Sequence, residues 1–437
     1  MSIPPGERAA GERYPGRGVH LDDGGGRAAG VAATRNALHR RVGRHADLDT
    51  CAGCDLDEQA EEVLGERLDV VTPRCTGIEA SEAFGHLVRG QREQPSSHGP
   101  SLLWKSPAPD VVDPDVMLSL LDRSRTRSGT PDSVGLTGSI ERAVRAEALG
   151  YHRFWVAEHH AVPGIANGSP AVLLAAIGAH TARIRLGSGG IMLPNHQPFV
   201  VAEQLLMLEA LYPGRIDAGM GRSLGFTPPV RAALRQDDMA GERFGEDLEE
   251  LRSYLDATAG VTVRPATSHR VPLYVLATGK GLEIAARLGL PAVVGGPLLA
   301  GDGPVEALDR YRRDFRPSER AQHPSVIVSL DVMVADDDAT ARELMLPEAW
   351  AMARSRQTGE FGPLEPVSSI LGHSWTSQLR SRVEQTLASA LHGSPATVRK
   401  GLERLVERTG AAEVLASTST YDREALYASD AALRDLL

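Results

Sequence analysis

The sequence predicts a (β/α)8 barrel over residues 113–437, preceded by an N-terminal extension over residues 1–112. Three observations lead there. Short apolar stretches of strand length alternate with stretches whose apolar residues recur at helical spacing, the pattern of a parallel sheet. About eight such strands occur, the number a closed barrel requires. Polar or glycine-rich residues mark their C-terminal ends, where such a barrel carries its chemistry. A doubly wound sheet is the competing arrangement, but it would show a phosphate fingerprint after its first strand, and none is evident.

DVMLSLLD (115–122) is the first strand, and SIERAVRAEALG (139–150) is the helix after it, stopped by Gly150. YHRFWVAEHH (151–160) is a second strand with its polar residues at the end, followed by the helix PAVLLAAIGAHT (170–181). RIRLGSGGIMLP (183–194) runs from strand into glycines, PFVVAEQLLMLEALYPG (198–214) is helical, and RIDAGMGR (215–222) is the fourth strand. The long insertion at 223–240 is expected to act as a lid. The alternation resumes with VPLYVLATG (271–279), LEIAARLGLP (282–291), AVVGG (292–296), VEALDRYRRDF (305–315) and SVIVSLDVMVA (325–335). Helical material follows, then the eighth strand AAEVLAST (411–418) and a closing helix at 423–437.

The 437 residues are 42% hydrophobic and only 4% aromatic, with a formal net charge of -10. An acidic chain without a basic stripe argues against nucleic acid or an anionic membrane as partner. No apolar run approaches a membrane span, and MSIPPGERAAGERYPGRG lacks the apolar core of a secretory signal. A cytoplasmic protein acting on a small molecule is expected. The cysteines, Cys51, Cys54 and Cys75, all lie in the extension, which leaves His, Asp, Glu, Arg and cofactors for the chemistry of the barrel. The Gly- and Arg-rich start reads as disordered, with short helices at 57–68 and 81–89 and a linker at 90–100. CAGC has redox or zinc spacing, but a zinc site needs two more ligands, and only Cys75 and irregular histidines such as His45 are at hand. A leader without a function is the expectation.

Chemistry concentrates in three places. VAEHHAVPG (156–164) ends the second strand with Glu158, His159 and His160, to be read as an acid/base, a metal site or two structural histidines. Neighbours on a strand point to opposite faces, so His159 and His160 would not readily share one ion, and no metal is expected. GSGGIMLPNHQP (187–198) suits a tight turn or the close approach of backbone to a flat ligand. GMGRSLG (219–225) offers a GxG loop, yet Pro228 and Pro229 follow and do not allow the helix start of a dinucleotide fold. As a strand end, the same stretch presents Arg222 to a phosphate oxygen.

EALGYHRFWVAEHH (147–160), the run from Gly164 to Arg222 and GLPAVVGG (289–296) together resemble, in order and spacing, the bacterial luciferase-like family of flavin-dependent monooxygenases. The resemblance covers about 115–437 and leaves the extension without a counterpart. It implies a barrel with an insertion after the fourth strand, and reduced FMN (FMNH2) supplied by a separate flavin reductase. It also implies O2 as cosubstrate, a C4a-hydroperoxyflavin as oxygenating species, and a homodimer. His159 then falls at the reactive edge of the flavin as the catalytic residue, with Glu158 and His160 holding it. An imidazole titrating near neutrality suits that task. The resemblance further puts a non-prolyl cis peptide between Gly189 and Gly190, beneath the flavin, and assigns its phosphate to Arg222 and Arg243.

One segment departs from the family pattern. After the fifth strand the family shows hydroxyl-rich text, whereas this chain reads ATGKG (277–281). Thr278 retains a hydroxyl, Gly279 and Gly281 expose N–H groups and Lys280 adds a charge, so phosphate binding survives while the choice of flavin stays open. Three functions follow. The first is an FMNH2-dependent monooxygenase acting on an organic small molecule, with secondary metabolism as the expected setting. The second is a deazaflavin-dependent hydride-transfer enzyme on the same barrel. The third is a non-catalytic luciferase-like subunit, against which the intact His159, Gly189, Gly190 and Arg222 speak.

Overall fold

The computed structural model describes residues 116–436, apart from 225–226, 237–238, 302 and 304. The expectations for the extension, including its helices, linker and cysteines, lie outside the described residues. The strands are β1 (Met117–Asp122), β2 (Arg153–Val156), β3 (Arg185–Ser188), β4 (Ile191–Met192), β5 (Ile216–Gly221), β6 (Leu273–Ala277), β7 (Ala292–Gly295), β8 (Val326–Leu330), β9 (Val332–Val334), β10 (Leu391–Gly393) and β11 (Glu413–Ala416). Helices α1 (Ser133–Leu149), α2 (Pro170–His180), α3 (Pro198–Leu211), α4 (Pro228–Ala233), α5 (Phe244–Leu255) and α6 (Lys280–Leu288) occupy the first half. Helices α7 (Glu306–Asp314), α8 (Asp338–Thr358), α9 (Val367–Gly372), α10 (Ser377–Ala388), α11 (Pro395–Thr409) and α12 (Arg423–Arg434) occupy the second.

Every ladder is parallel, and the strands run in the order β3-β2-β1-β11-β8-β7-β6-β5, with the short β4 beside β5. Pairing of Leu186 with Ile216 and of Gly187 with Asp217 returns β5 to β3 and closes an eight-stranded barrel. Side chains alternate across each strand. The outward set, including Leu120, Phe154, Val156, Leu186, Val275, Val294, Val328 and Val414, packs beneath the helices as one apolar layer. The inward set is smaller: Leu121, Trp155, Ala157, Val293, Ile327 and Leu415, with Tyr274 edge-on to Trp155 at 5.2 Å. Local chemistry sets the helix ends. Gly150, at φ 81, closes α1 in a left-handed conformation that glycine alone adopts without a Cβ penalty. Asp337, Ser394 and Asp422 cap α8, α11 and α12 through their side-chain oxygens.

The N-terminal end of the barrel is plugged by buried charge. Asp217 accepts from Arg153 Nη1 at 2.8 Å, Arg185 Nη2 at 2.6 Å and Trp155 Nε1 at 3.3 Å. Glu413 takes Arg153 at 2.8 Å and the Ser119 hydroxyl at 2.5 Å. Removing the Asp217 carboxylate leaves the buried Arg153 with Glu413 alone and takes from the part-exposed Arg185 its charge partner. Asp217→Ala is therefore expected to lower stability by about 3–5 kcal/mol, read as a fall in the urea midpoint.

Two expectations are corrected. Helix α1 starts at Ser133, not Ser139. SVIVSLDVMVA is two strands: β8 stays in the barrel, while β9 leaves it after Asp331 to pair with β10. Helices α8–α10 pack beside that pair around their own core of Met345, Trp350, Leu379 and Val383. Pro228 and Pro229 open the short helix α4, occupying first-turn positions where no backbone N–H is needed. Among the described residues, no helix is long and apolar enough to cross a membrane.

Candidate active site

Carrying the inward alternation beyond Leu121 and Ala157 brings Arg123 and His159 to the C-terminal mouth of the barrel. Arg123 donates to Glu348 Oε1 of α8 at 2.9 Å, and also to Asp331 Oδ1 and the Ser417 carbonyl. Arg125 Nε meets the other oxygen of Glu348 at 2.9 Å. Burial opposes ionisation of Glu348, whose side chain has no exposed surface, but the two guanidiniums hold its carboxyl below the usual range. Asp331, more weakly compensated, is pushed up by burial.

His159 sits within the field of this cluster, and its backbone N–H is fixed on the Asn167 carbonyl at 3.0 Å. Burial first, then the positive charges of Arg123 and Arg125, lower its pKa to about 4, with Glu158 opposing. The expectation of an imidazole titrating near neutrality is thereby corrected: His159 is neutral throughout the physiological range.

Glu158 turns the other way. Its Oε1 accepts from His160 Nε2 at 2.6 Å, His196 Nε2 at 2.8 Å and Asn195 Nδ2 at 3.3 Å, and its Oε2 accepts from the Met192 N–H at 3.0 Å. Burial would raise this carboxyl, yet the donors bring it to about 2. Gln236, in the insertion, donates to Asn195 Oδ1 and so joins that segment to the network. His160 pairs with Glu158, while His159 lies in the field of Arg123 and Arg125. Glu158, His160 and His196 each place a ligand atom within 4.8 Å of the others, a metal-capable grouping that the sequence reading did not include. In the geometry present, the two imidazoles donate their Nε2 protons to an ionised carboxylate.

The pH dependence has a definite sign. Glu158 is depressed from 4.5 to about 2, so its contribution to stability is complete above pH 4.5 and is lost as pH falls through 2. His159 is depressed from 6.5 to about 4, so protonation of the unfolded chain removes stability as pH falls from 6.5 to 4. Urea midpoints measured from pH 7 downward are expected to fall across both windows. Glu158→Gln should flatten the lower window alone.

The Gly189–Gly190 bond is cis. A Cβ at Gly189 would lie 2.5 Å from Leu121 Cδ1 and 3.2 Å from Trp155 Cε3, and one at Gly190 would lie 2.7 Å from the Gly219 carbonyl oxygen. Packing within the barrel thus demands glycine at 190, where the contact is to backbone, and disfavours a side chain at 189.

Across the mouth, β5 delivers Arg222 and β6 delivers Thr278 and Gly279, beside the N-terminus of α6. Glu242 bridges this group, 3.8 Å from Arg222 Nη1 and 3.2 Å from Lys280 Nζ. Arg243 follows it as the N-cap of α5. Thr278 and Gly279 are exposed, while Gly281 is buried with its N–H on the Thr278 carbonyl at 3.0 Å. One carboxylate held by two cations at an open helix N-terminus is a charge pattern that a phosphate can take over. These donors fit the phosphate end of a flavin nucleotide.

The model of the luciferase-like monooxygenase family matches residues 116–413. The chain belongs to that family. It is 36% identical over 321 residues to a luciferase-like monooxygenase of Escherichia coli (strain K12), covering 72% of this chain and 95% of the relative. Among solved structures it is similar to apo-MsnO8, at 33% identity and a TM-score of 0.66, covering 74% of this chain and 98% of that one. Two more distant structures share the fold alone. One is the oxygenating constituent of 3,6-diketocamphane monooxygenase of Pseudomonas putida in complex with FMN, at 17% identity, TM-score 0.56 and coverage of 73% and 97%. The other is an F420-dependent secondary alcohol dehydrogenase in complex with an F420-acetone adduct, at 15% identity, TM-score 0.54 and coverage of 74% and 98%.

Within this luciferase-like barrel, sequence reasoning missed Arg123, Asp331, Glu348, His196 and Glu242. Arg123 was reachable, because it continues the inward alternation of Ser119 and Leu121. The others depend on contacts between distant segments and left no local signal.

Proposed function

We propose that this luciferase-like monooxygenase uses FMNH2, delivered by a separate flavin reductase, and O2 to oxygenate an organic small molecule. The observation that carries the reading is one rim holding both a half-buried neutral imidazole, His159, and the Arg222, Glu242 and Lys280 cluster. Reduced FMN, when bound, supplies the two electrons that activate oxygen.

The chain's own residues divide the remaining work. Arg222, Arg243, Thr278, Lys280 and the N–H of Gly279 hold the phosphate, displacing Glu242, while Gly281, its N–H spent on the Thr278 carbonyl, shapes the turn. Gly189 and Gly190 line the floor against Leu121 and Trp155. His159 holds a proton on one ring nitrogen and donates it as a hydrogen bond without becoming charged. Arg123 and Arg125 keep that imidazole neutral. Glu158, with His160 and His196, fixes the backbone from which His159 projects. The insertion, anchored through Gln236 to Asn195, excludes water as a lid.

A deazaflavin coenzyme is the second reading, favoured by the departure at Thr278–Gly281. Anaerobic titration with photoreduced FMN and with the reduced deazaflavin separates the two. Saturable binding of FMNH2 but not of the deazaflavin supports the proposal, and the reverse preference removes it. A silent subunit would bind neither. The proposed assembly is a homodimer in the cytoplasm. Helices α2 and α3 expose Val172 (71%), Met207 (56%) and Leu211 (60%), an apolar face that a second copy would cover. Met207→Asp is expected to shift the sedimentation coefficient to that of a monomer, and a coefficient unchanged from a dimeric wild type would place the interface elsewhere.

A further inference from the structure

On the side of the barrel opposite Arg222 and Lys280, between α1 and α12, lies a small polar cavity. About 10 Å³ of it is open to the centre of a water-sized sphere, room for one monoatomic body. Arg125, Arg127, Arg142, Arg423, Asp122 and Ser139 line it. Arg142 is satisfied, clasping Asp430 at 2.7 and 2.8 Å and Asp122 at 3.1 Å. Arg125 is matched by Glu348. Among the described residues, the other two guanidiniums meet no carboxylate. Arg127 donates only to the carbonyls of Tyr421, Thr420 and Arg125, and Arg423 donates to the carbonyl of Val134 with the Tyr427 phenol beside it.

Asp122 and Asp430 together outweigh Arg142 by one negative charge, so Arg127 and Arg423 leave the pocket with a net positive charge. One donor there also lacks an acceptor: Arg423 Nε is buried without a hydrogen-bond partner. A buried guanidinium N–H left unpaired is costly, and more so beside a like charge. Arg127 registers the strain, since burial and then Arg423 lower its pKa to about 10. Gly138 makes the arrangement possible, because a Cβ there would collide with the Arg423 guanidinium.

We infer that this cavity binds one halide-sized monovalent anion between Arg423 and Arg127. Phosphate, sulfate and carboxylates are too large for the space. A water molecule would satisfy the donors but leave the charge. The bound anion ties the first turns of α1 and α12 to the loop after β1, and it acts on stability independently of any flavin. By linkage, a ligand of the folded state alone raises Tm in a saturable way.

The test uses the purified chain in sodium chloride or bromide against sodium gluconate at equal ionic strength. Wild type should show a saturating Tm rise of about 2–4 °C with either halide. In Arg423→Gln, the halide concentration needed for half the effect should increase at least about tenfold. Should that variant fail to fold, crystals of wild type soaked in bromide give the answer directly, through an anomalous peak in the cavity. Coincident halide and gluconate curves for wild type, or a cavity holding only water in bromide-soaked crystals, would overturn the inference.

Discussion

Replacing His159 with alanine is expected to speed release of hydrogen peroxide about 100-fold when the anaerobic complex with FMNH2 is mixed with oxygen. Flavin affinity should change little. The imidazole stands in the inward layer at the mouth, held neutral by burial and by Arg123 and Arg125. It is suited to donate a hydrogen bond to an oxygen substituent rather than to carry charge. Peroxide appearance followed by a coupled peroxidase assay after stopped-flow mixing reports the effect. With a pKa near 4, wild type should show a pH-independent rate from pH 6 to 8. A variant indistinguishable from wild type would assign His159 a structural role only.

The second large effect concerns the phosphate cluster. Arg222→Ala should weaken FMNH2 binding about 10–100-fold, the range for losing a charge-assisted contact to phosphate. Glu242→Gln should tighten it a few-fold, because the carboxylate bridging Arg222 and Lys280 at 3.8 and 3.2 Å no longer competes. Both effects should shrink with added salt, since the groups are exposed. Reduced riboflavin, which lacks the phosphate, is the control. Its binding should be insensitive to either change, and equal losses for riboflavin and FMN would move the phosphate site elsewhere.

The barrel was legible because each strand is a compact apolar run and each run ends in glycine or a polar residue. The positions that misled have physical reasons. Gly135, Thr137 and Gly138 are poor helix formers and hid the first turns of α1, which tertiary contact with Arg423 nonetheless requires. Asp331 interrupts SVIVSLDVMVA without a glycine or proline, so the split between β8 and β9 left no turn signal. The site was half legible. Glu158, His159 and Arg222 stand at strand ends and could be found by position. Arg123 meets Glu348 across 225 residues and Asp331 across 208, spacings that no local pattern encodes. The low pKa of His159 depends on those contacts and was hidden for the same reason.

The central claim, a flavin monooxygenase rather than a hydride-transfer enzyme or a silent subunit, is tested most directly by the fate of oxygen in the wild-type complex. Photoreduced FMN bound anaerobically should, on mixing with oxygen, release hydrogen peroxide at least about 100-fold more slowly than free FMNH2 does, because the residues around His159 retain activated oxygen. Failure to bind FMNH2, or peroxide release at the rate of free flavin, would contradict the account.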